Sequence, residues 1–154
     1  MSLIISLPTE DKSIKTAEKL AYCLSSSTVL TFSGEIGAGK TTFIRALLRT
    51  LGITSAIKSP TFSLVESYQT DRYPVHHFDL YRIHDQSELE YIGFRDYFSE
   101  NAVCCIEWPE HAPGSLPKID LAFHLFFKGS GREMQVEAHS EAGNYILNCL
   151  LGDA

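Results

Sequence analysis

The stretch TFSGEIGAGKTTF, residues 31–43, decides how this chain is expected to fold. From Gly34 to Thr41 it fits the pattern G-x-x-x-x-G-K-[S/T], with a β-rich run before it and an apolar-striped helical segment after it. Glycines let backbone N–H groups turn inward to form an anion nest, which the positive end of the following helix supports. The stretch therefore predicts a phosphate-binding loop between a strand and a helix.

Two side chains of the loop carry its chemistry. Lys40 would reach the β- and γ-phosphates of a nucleoside triphosphate, and the hydroxyl of Thr41 would ligate Mg²⁺. The alternative is a glycine-rich turn with an exposed lysine, which the flanking strand and helix patterns disfavour. The loop therefore predicts triphosphate binding.

Length and composition favour one compact domain over residues 1–154. The 154 residues are 44% hydrophobic and 21% charged, as in soluble globular proteins. No run approaches the ~18 apolar residues of a membrane span, and the N-terminus lacks a secretory pattern, so a cytoplasmic location is expected. The net charge of −6 disfavours strong independent binding to nucleic acid, although contact through a partner protein stays open.

The four cysteines show no metal-ligand spacing. Cys104 and Cys105 are adjacent in an apolar run and would point to opposite faces of a strand. With Cys23 and Cys149, they are expected to be buried free thiols in a reducing compartment.

Hydrophobic periodicity gives the order of the elements. Strands are predicted at 2–7, 28–33, 62–68, 75–80, 103–106, 119–127 and 133–138, and helices at 9–25, 40–51, 87–97 (bent or broken at Gly93) and from 140 onward. Polar turns around 70–72 and 128–132 indicate two antiparallel hairpins. Crossovers mixed with hairpins predict an α/β three-layer domain with a mixed parallel and antiparallel sheet.

Two acids at predicted strand ends are candidates for handling Mg²⁺ and water. Glu107 follows the apolar run 103–106, which is the Walker B arrangement with Glu in place of the usual Asp. Asp79 lies on a strand whose alternation sets His77, Asp79 and Tyr81 on one face. Without the loop, an acid at a strand end is more often a cap or a solvated residue than a functional group.

Two further features are less specific. The adjacent histidines 76 and 77 face opposite ways on a strand and cannot chelate one ion, so a structural role is expected for His76. Ser59-Pro60-Thr61 follows the loop helix, where a threonine can sense a γ-phosphate. A simple proline turn leading into a strand explains the same three residues equally well.

Six pieces of the sequence converge on one family. They occur in the family's order across nearly the whole chain: GEIGAGKTTF (34–43), KSPTFSLVE (58–66), HFDLYR (77–82), IGFRDYF (92–98), IEWPE (106–110) and GRE (131–133). Each piece alone is weak, but HFDLYR followed by EWP is specific. The chain resembles the TsaE family of bacterial ATPases, which act in forming threonylcarbamoyladenosine on tRNA.

The resemblance implies a P-loop ATPase fold and a set of site residues. ATP would lie on the loop through Gly34, Gly37, Ala38, Gly39, Lys40, Thr41 and Thr42. Mg²⁺ would be held by Thr41 and Glu107, and Asp79 would orient or deprotonate water. Hydrolysis would thus depend on Lys40, Asp79 and Glu107, with Ser59, Thr61, His77, Tyr81 and Trp108 supporting the site.

Two more residues match positions that touch the nucleotide in the family, Arg132 and Glu10. A guanidinium on a glycine turn can stack on a base or clamp a phosphate, although a solvated turn arginine is the simpler explanation without the family. Glu10 has only the resemblance behind it.

The resemblance also implies partners and a purpose for the triphosphate. By resemblance to family members, the chain would bind the TsaD and TsaB proteins, and ATP turnover would reset that assembly between modification cycles. The tRNA would then be held mainly by the partners, which agrees with the acidic charge of the chain.

Two other functions remain open. A small P-loop kinase would need an arginine-rich lid and an acceptor pocket, and the region after Trp108 has few basic residues. A non-catalytic, ATP-dependent interaction module would use the loop without turnover, which the two acids disfavour.

Overall fold

The computed structural model describes residues 1–99 and 101–152. Seven strands form one sheet in the order β1-β7-β6-β2-β5-β4-β3. The elements are β1 Ser2–Leu7, α1 Glu10–Cys23, β2 Thr28–Ser33, α2 Lys40–Thr50, β3 Val65–Gln69, β4 Pro74–Asp79, α3 Ser87–Tyr91, β5 Val103–Glu107, β6 Leu121–Lys128, β7 Gly131–Ala138 and α4 Glu141–Leu151. Two short 3₁₀ helices cover Phe94–Ser99 and Pro109–His111.

The sheet is mixed, as the sequence predicts. Strand β2 pairs in parallel with β5 and β6, and β5 pairs in parallel with β4. The hairpins β3–β4 and β6–β7 and the pair β1–β7 are antiparallel. Parallel pairing of β2, β4 and β5 brings their carboxyl ends to one edge, where doubly wound sheets bind ligands.

Helical layers cover both faces of the sheet. Helices α1, α2 and α4 bury apolar residues such as Leu20, Leu47 and Leu147 in one core cluster with the strands. On the other face, Phe78 of β4 contacts Phe94 and Tyr97 edge-on at 5.1 Å. The three-layer α/β prediction is therefore confirmed.

Three phenylalanines pack helix α2, which follows the glycine loop, against the sheet. Phe32 of β2 and Phe123 of β6 stack with ring centroids 4.8 Å apart, and Phe43 of α2 packs 5.9 Å from Phe32 and 6.0 Å from Phe123. Truncating such a fully buried ring costs about 3–5 kcal/mol, because a cavity remains. This cluster holds the first turn of α2 against the end of β2.

Most element predictions agree with the structure, and β1 and β2 have the predicted bounds. The segment 62–64 was expected in a strand, but that prediction is wrong. Leu64 has a left-handed φ of 69°, which is incompatible with an extended strand, so β3 begins at Val65. Gly93, also left-handed at φ 67°, separates α3 from the following 3₁₀ helix as expected.

Cys23 and Cys149 form a disulfide, so the expectation of four free thiols is wrong for this pair. Helices α1 and α4 pack side by side, which brings the two Cα atoms within 5.8 Å although the residues are 126 apart in sequence. Cys104 and Cys105 are buried thiols outside this disulfide and are directed to different core clusters, as expected. Burial raises the pKa of the Cys105 thiol, which keeps it protonated.

Within residues 1–99 and 101–152, every helix is too short or too polar to cross a bilayer.

Candidate functional site

The glycine loop lies between the end of β2 and the start of α2. Gly34, Gly37 and Gly39 have φ values of 147°, 85° and 101°, which residues with a Cβ rarely adopt. A Cβ on Gly34 would also lie 2.5 Å from the carbonyl oxygen of Leu125. The loop backbone therefore rests on β6 and requires glycine at its first position.

A cavity of about 350 Å³ opens beside the loop. Asp79 and Glu107 reach it together because they are register partners at the ends of β4 and β5. The cavity is lined by Ile36, Gly37, Gly39, Lys40, Thr41, Thr42, Ser59, Thr61, Asp79, Tyr81, Glu107 and Trp108. We call it the acidic cavity.

Lys40 is buried at the start of α2. Its Nζ donates to the carbonyl oxygens of Gly34 and Glu35, at 3.1 Å for Glu35, and lies 4.2 Å from the centre of the Trp108 ring. Burial lowers the pKa of Lys40, while Glu107 is foremost among the nearby carboxylates that oppose this shift. The ammonium group therefore faces both loop carbonyls and carboxylates.

Glu107 and Thr41 present oxygen atoms to the same space. The Thr41 hydroxyl donates to Oε1 of Glu107 at 3.3 Å. Neighbouring ligands of octahedral Mg²⁺ lie ~3 Å apart, since each bond is about 2.1 Å long, so this pair fits one ion. The described residues contain no group of three or more His, Cys, Asp or Glu side chains arranged for a metal. Phosphate and water oxygens would therefore have to complete the coordination, as is usual for Mg²⁺.

Asp79 is buried and held at both carboxylate oxygens. Oδ1 accepts from the backbone N–H of Tyr81 at 3.0 Å, and Oδ2 accepts from the Thr61 hydroxyl at 3.0 Å. Burial raises the pKa of Asp79 most strongly, and the charge of Glu107 adds to this, while the Tyr81 hydrogen bond opposes it. A carboxylate with a raised pKa is a better proton acceptor near neutral pH.

The 59–61 segment contacts the acidic cavity directly. The hydroxyls of Ser59 and Thr61 are 2.8 Å apart, and Thr61 continues the chain of hydrogen bonds to Asp79. A displacement of this segment would therefore change the surroundings of the Asp79 carboxylate.

Trp108 and Tyr81 form an aromatic wall of the acidic cavity. Their ring centroids are 5.0 Å apart, and the His111 ring stacks on Tyr81 at 5.9 Å. Trp108 has a left-handed φ of 58°, a strained conformation that concentrates at functional sites.

A second cavity of about 270 Å³ lies beside the same loop. Arg132 donates through Nη2 to the carbonyl of Gly37 at 3.1 Å, and its guanidinium lies 4.3 Å from the centre of the Phe127 ring. The cavity is lined by Leu7, Pro8, Thr9, Glu10, Ser13, Gly37, Ala38, Gly39, Thr42, Ser130, Gly131 and Arg132. We call it the arginine cavity.

The structure thus divides the candidate residues between two cavities that share Gly37, Gly39 and Thr42. Glu10 and Arg132 lie with Ala38 in the arginine cavity. Gly34 lines neither, and His77 is buried against Glu107.

Sequence reasoning missed Ile36 on the rim, Phe127 against Arg132 and His111 against Tyr81. Phe127 belongs to the same hairpin as Arg132, which was its one available signal. The functional roles of all these residues stay predictions.

A family model described as "Threonylcarbamoyl adenosine biosynthesis protein TsaE" matches residues 7–135. The chain belongs to the TsaE family. The TsaE match includes the loop, both acids and Arg132. TsaE membership also agrees with the P-loop nucleotide-binding fold described above.

Individual TsaE relatives cover nearly the whole chain. The chain is 35% identical over 152 residues to the "tRNA threonylcarbamoyladenosine biosynthesis protein TsaE" of Haemophilus influenzae, covering 96% of each protein. It is 35% identical over 143 residues to the Bacillus subtilis protein of the same name, covering 92% of this chain and 87% of the relative. The crystal structure of YdiB from Bacillus subtilis superposes with a TM-score of 0.85 at 26% identity, covering 98% of this chain and 95% of YdiB.

Proposed function

We propose that this protein binds and hydrolyses Mg·ATP in the biosynthesis of threonylcarbamoyladenosine on tRNA, and that turnover drives or resets an assembly of TsaD and TsaB. The observation that carries the proposal is the convergence of Lys40, Thr41, Asp79 and Glu107 on one cavity beside a phosphate-binding loop. Membership in the TsaE family supplies the pathway.

Binding of ATP would use both cavities. The glycine backbone of the loop at the start of α2 and the ammonium of Lys40 suit the phosphates. Arg132, already tied to the loop at Gly37, suits contact with the remainder of the nucleotide. The two cavities share Gly37, Gly39 and Thr42 in their linings, so one ligand lying along the loop would contact both.

Thr41 and Glu107 would hold Mg²⁺, as their oxygen separation of 3.3 Å allows. When bound, the ion neutralises negative charge on the β- and γ-phosphates. On the protein side, Glu107 contributes a buried carboxylate whose orientation is fixed by hydrogen bonds.

Asp79 would position the attacking water and accept its proton. The water oxygen would form a bond to the γ-phosphorus, the bond from that phosphorus to the β–γ bridging oxygen would break, and ADP would leave with that electron pair. The raised pKa of Asp79 favours proton acceptance, and its bonds to Thr61 and Tyr81 fix the carboxylate.

Loss of the γ-phosphate would change the surroundings of Thr61 and could thereby move the 59–61 segment. This segment lines the acidic cavity and bonds to Asp79, so it can couple the nucleotide state to a partner surface. The tRNA would be bound indirectly, since a net charge of −6 opposes independent binding. We expect ATP hydrolysis and tRNA modification to take place in the cytoplasm.

A reconstituted modification assay tests the proposal. TsaD, TsaB, tRNA, the threonylcarbamoyl donor and ATP are incubated with this protein, and ATP hydrolysis and modified nucleoside per TsaD are measured over many cycles. Lys40→Ala and Asp79→Asn are expected to stop the reaction after about one cycle. Asp71→Asn, at an exposed turn, is the matched control and should behave as the unchanged protein.

Two outcomes would contradict the proposal. Sustained modification by both site variants would make turnover irrelevant and favour the non-catalytic module. Transfer of the γ-phosphate to nucleosides, sugars or small metabolites in place of water would favour the kinase.

A further inference from the structure

One buried candidate residue, His77, does not line the acidic cavity but is hydrogen-bonded to Glu107, which does. His77 lies on β4 two residues before Asp79, on the same face of the strand. Its neighbour His76 is directed to the opposite face, where it bonds to Ser67 at 2.7 Å and contacts the Tyr97 ring. Two adjacent histidines therefore have different surroundings.

His77 is bonded to Glu107 beneath the cavity. Its Nε2 lies 2.6 Å from Oε2 of Glu107, and the two side chains are only 1% and 3% exposed. A carboxylate offers only acceptors, so the imidazole donates its Nε2–H. At that length the bond is a strong, charge-assisted one, and burial shields it from competing water.

The second ring nitrogen of His77 makes no such bond. Nδ1 is buried without a hydrogen-bond partner among residues 1–99 and 101–152. Most buried polar atoms are paired, so an unpaired nitrogen in a native site calls for an explanation. Here the ring is oriented by one hydrogen bond, from Nε2 to Glu107, and Nδ1 is left without a hydrogen bond within the described part of the chain.

The bond fixes how Glu107 presents its oxygens. Oε2 is bonded to His77, and the Thr41 hydroxyl lies 3.3 Å from Oε1 and 3.5 Å from Oε2. Without His77 the carboxylate could rotate about its terminal torsion, which has a broad energy profile. Hydrogen-bonded partners of this kind orient metal ligands and tune their affinity.

We propose that His77 is a positioning residue for the divalent-cation site, and that its Nε2–H holds Glu107 in the orientation that binds the metal together with Thr41. The inference rests on the proposed function, because it takes Glu107 as a metal ligand. It assigns His77 to binding of the cation and not to binding of the nucleotide.

Direct measurement of metal affinity tests this role. Mn²⁺ is titrated into the full-length protein saturated with ADP, and the free ion is followed by electron paramagnetic resonance. His77→Phe keeps a ring but removes the donor, and is expected to weaken Mn²⁺ binding by about 10–100-fold. Affinity for ADP measured in EDTA should stay within about three-fold.

A pair of amide variants separates positioning from packing. The amide nitrogen of His77→Gln can take the place of Nε2, whereas that of His77→Asn reaches only the place of Nδ1. Mn²⁺ affinity should therefore be largely kept in His77→Gln and lost in His77→Asn. This comparison remains decisive if His77→Phe fails to fold, and His76→Phe is the control for changing a buried histidine on the same strand.

The outcomes distinguish this inference from the proposed function. Equal Mn²⁺ affinity in the Gln and Asn variants, or wild-type affinity in a folded His77→Phe, would overturn the positioning role. ATP hydrolysis by the unchanged protein would still stand in that case. If the unchanged protein failed to bind ADP at all, the proposed function itself would fail.

Discussion

The two cavities beside the glycine loop differ in how their charged groups are held. In the acidic cavity, Asp79 and Glu107 are 5% and 2% exposed and come from neighbouring parallel strands. In the arginine cavity, Glu10 is exposed at the start of α1, and Arg132 is half-buried near the start of β7, where it pairs with Leu7 and Phe127. The charged groups of the first cavity are therefore buried, whereas those of the second lie nearer the protein surface.

Under the proposed function, this difference predicts that chemistry belongs to the acidic cavity and nucleotide recognition to the arginine cavity. Buried, hydrogen-bonded carboxylates are preorganised and suit a transition state. A half-buried guanidinium over an aromatic ring suits ligand binding. Variants in the acidic cavity should therefore change mainly kcat, and variants in the arginine cavity should change mainly the affinity for the nucleotide.

The largest effect is expected at Asp79. Asp79→Asn keeps the shape but loses the proton acceptor, so kcat for ATP hydrolysis should fall about 10²–10⁴-fold. The Kd for ADP should stay within about three-fold, as for a group that acts mainly in the transition state. Steady-state kinetics and calorimetry measure the two constants. A large rise in Kd with little loss of kcat would mean that Asp79 binds the nucleotide, and would contradict the division of roles between the two cavities.

A smaller effect of the opposite kind is expected at Arg132. Arg132→Ala removes a charged group that bonds to Gly37 and packs on Phe127, so affinity for ATP should fall about ten-fold. The kcat at saturating ATP should not change. Arg132→Lys keeps the charge without the planar fork and should recover only part of the affinity. Equal losses of kcat in both variants would count against the division.

A still smaller change in kcat is expected at Thr61. Thr61→Val conserves size but removes the hydrogen bond to Oδ2 of Asp79, and kcat should fall about 3–5-fold. Thr61→Ser restores the hydroxyl and should restore the rate. If Thr61→Ser stayed as slow as Thr61→Val, the hydroxyl alone would not account for the loss, and if Thr61→Val kept the full rate, the hydrogen bond would not contribute to it.

The smallest effect on either cavity is expected from the disulfide. Replacing Cys23 and Cys149 by Ser should lower the free energy of unfolding by about 2–4 kcal/mol relative to the oxidised protein. The kcat and Kd should be unchanged, because the pair joins α1 to α4 and lines neither cavity. Denaturant titration with and without dithiothreitol measures the difference. Equal free energies of unfolding for the oxidised and the reduced protein would show that the disulfide does not stabilise the fold.

Local signals in the sequence were sufficient for the loop and the order of the elements. The backbone of residues 34–39 depends on glycine conformations, and the strands depend on two-residue periodicity. The approach of Asp79 and Glu107 also followed from their places at strand ends, since parallel strands align their carboxyl ends.

Contacts between distant elements could not be predicted in the same way. The pairing of Cys23 with Cys149 depends on α1 and α4 packing together, and no spacing in the sequence reports that. The bond from His77 to Glu107 requires the β4–β5 register as well as alternation. The late start of β3 depends on the left-handed backbone of Leu64, an uncommon conformation for that residue type.

The pairing of β1 with β7 has a consequence for synthesis on the ribosome. Residues 2–7 leave the exit tunnel long before their partners, residues 132–137. The segment therefore stays unpaired, with its backbone amides hydrated, until β7 has been translated. Closing so long a loop is entropically costly and slow, so a stalled nascent chain would present this apolar segment to chaperones and proteases.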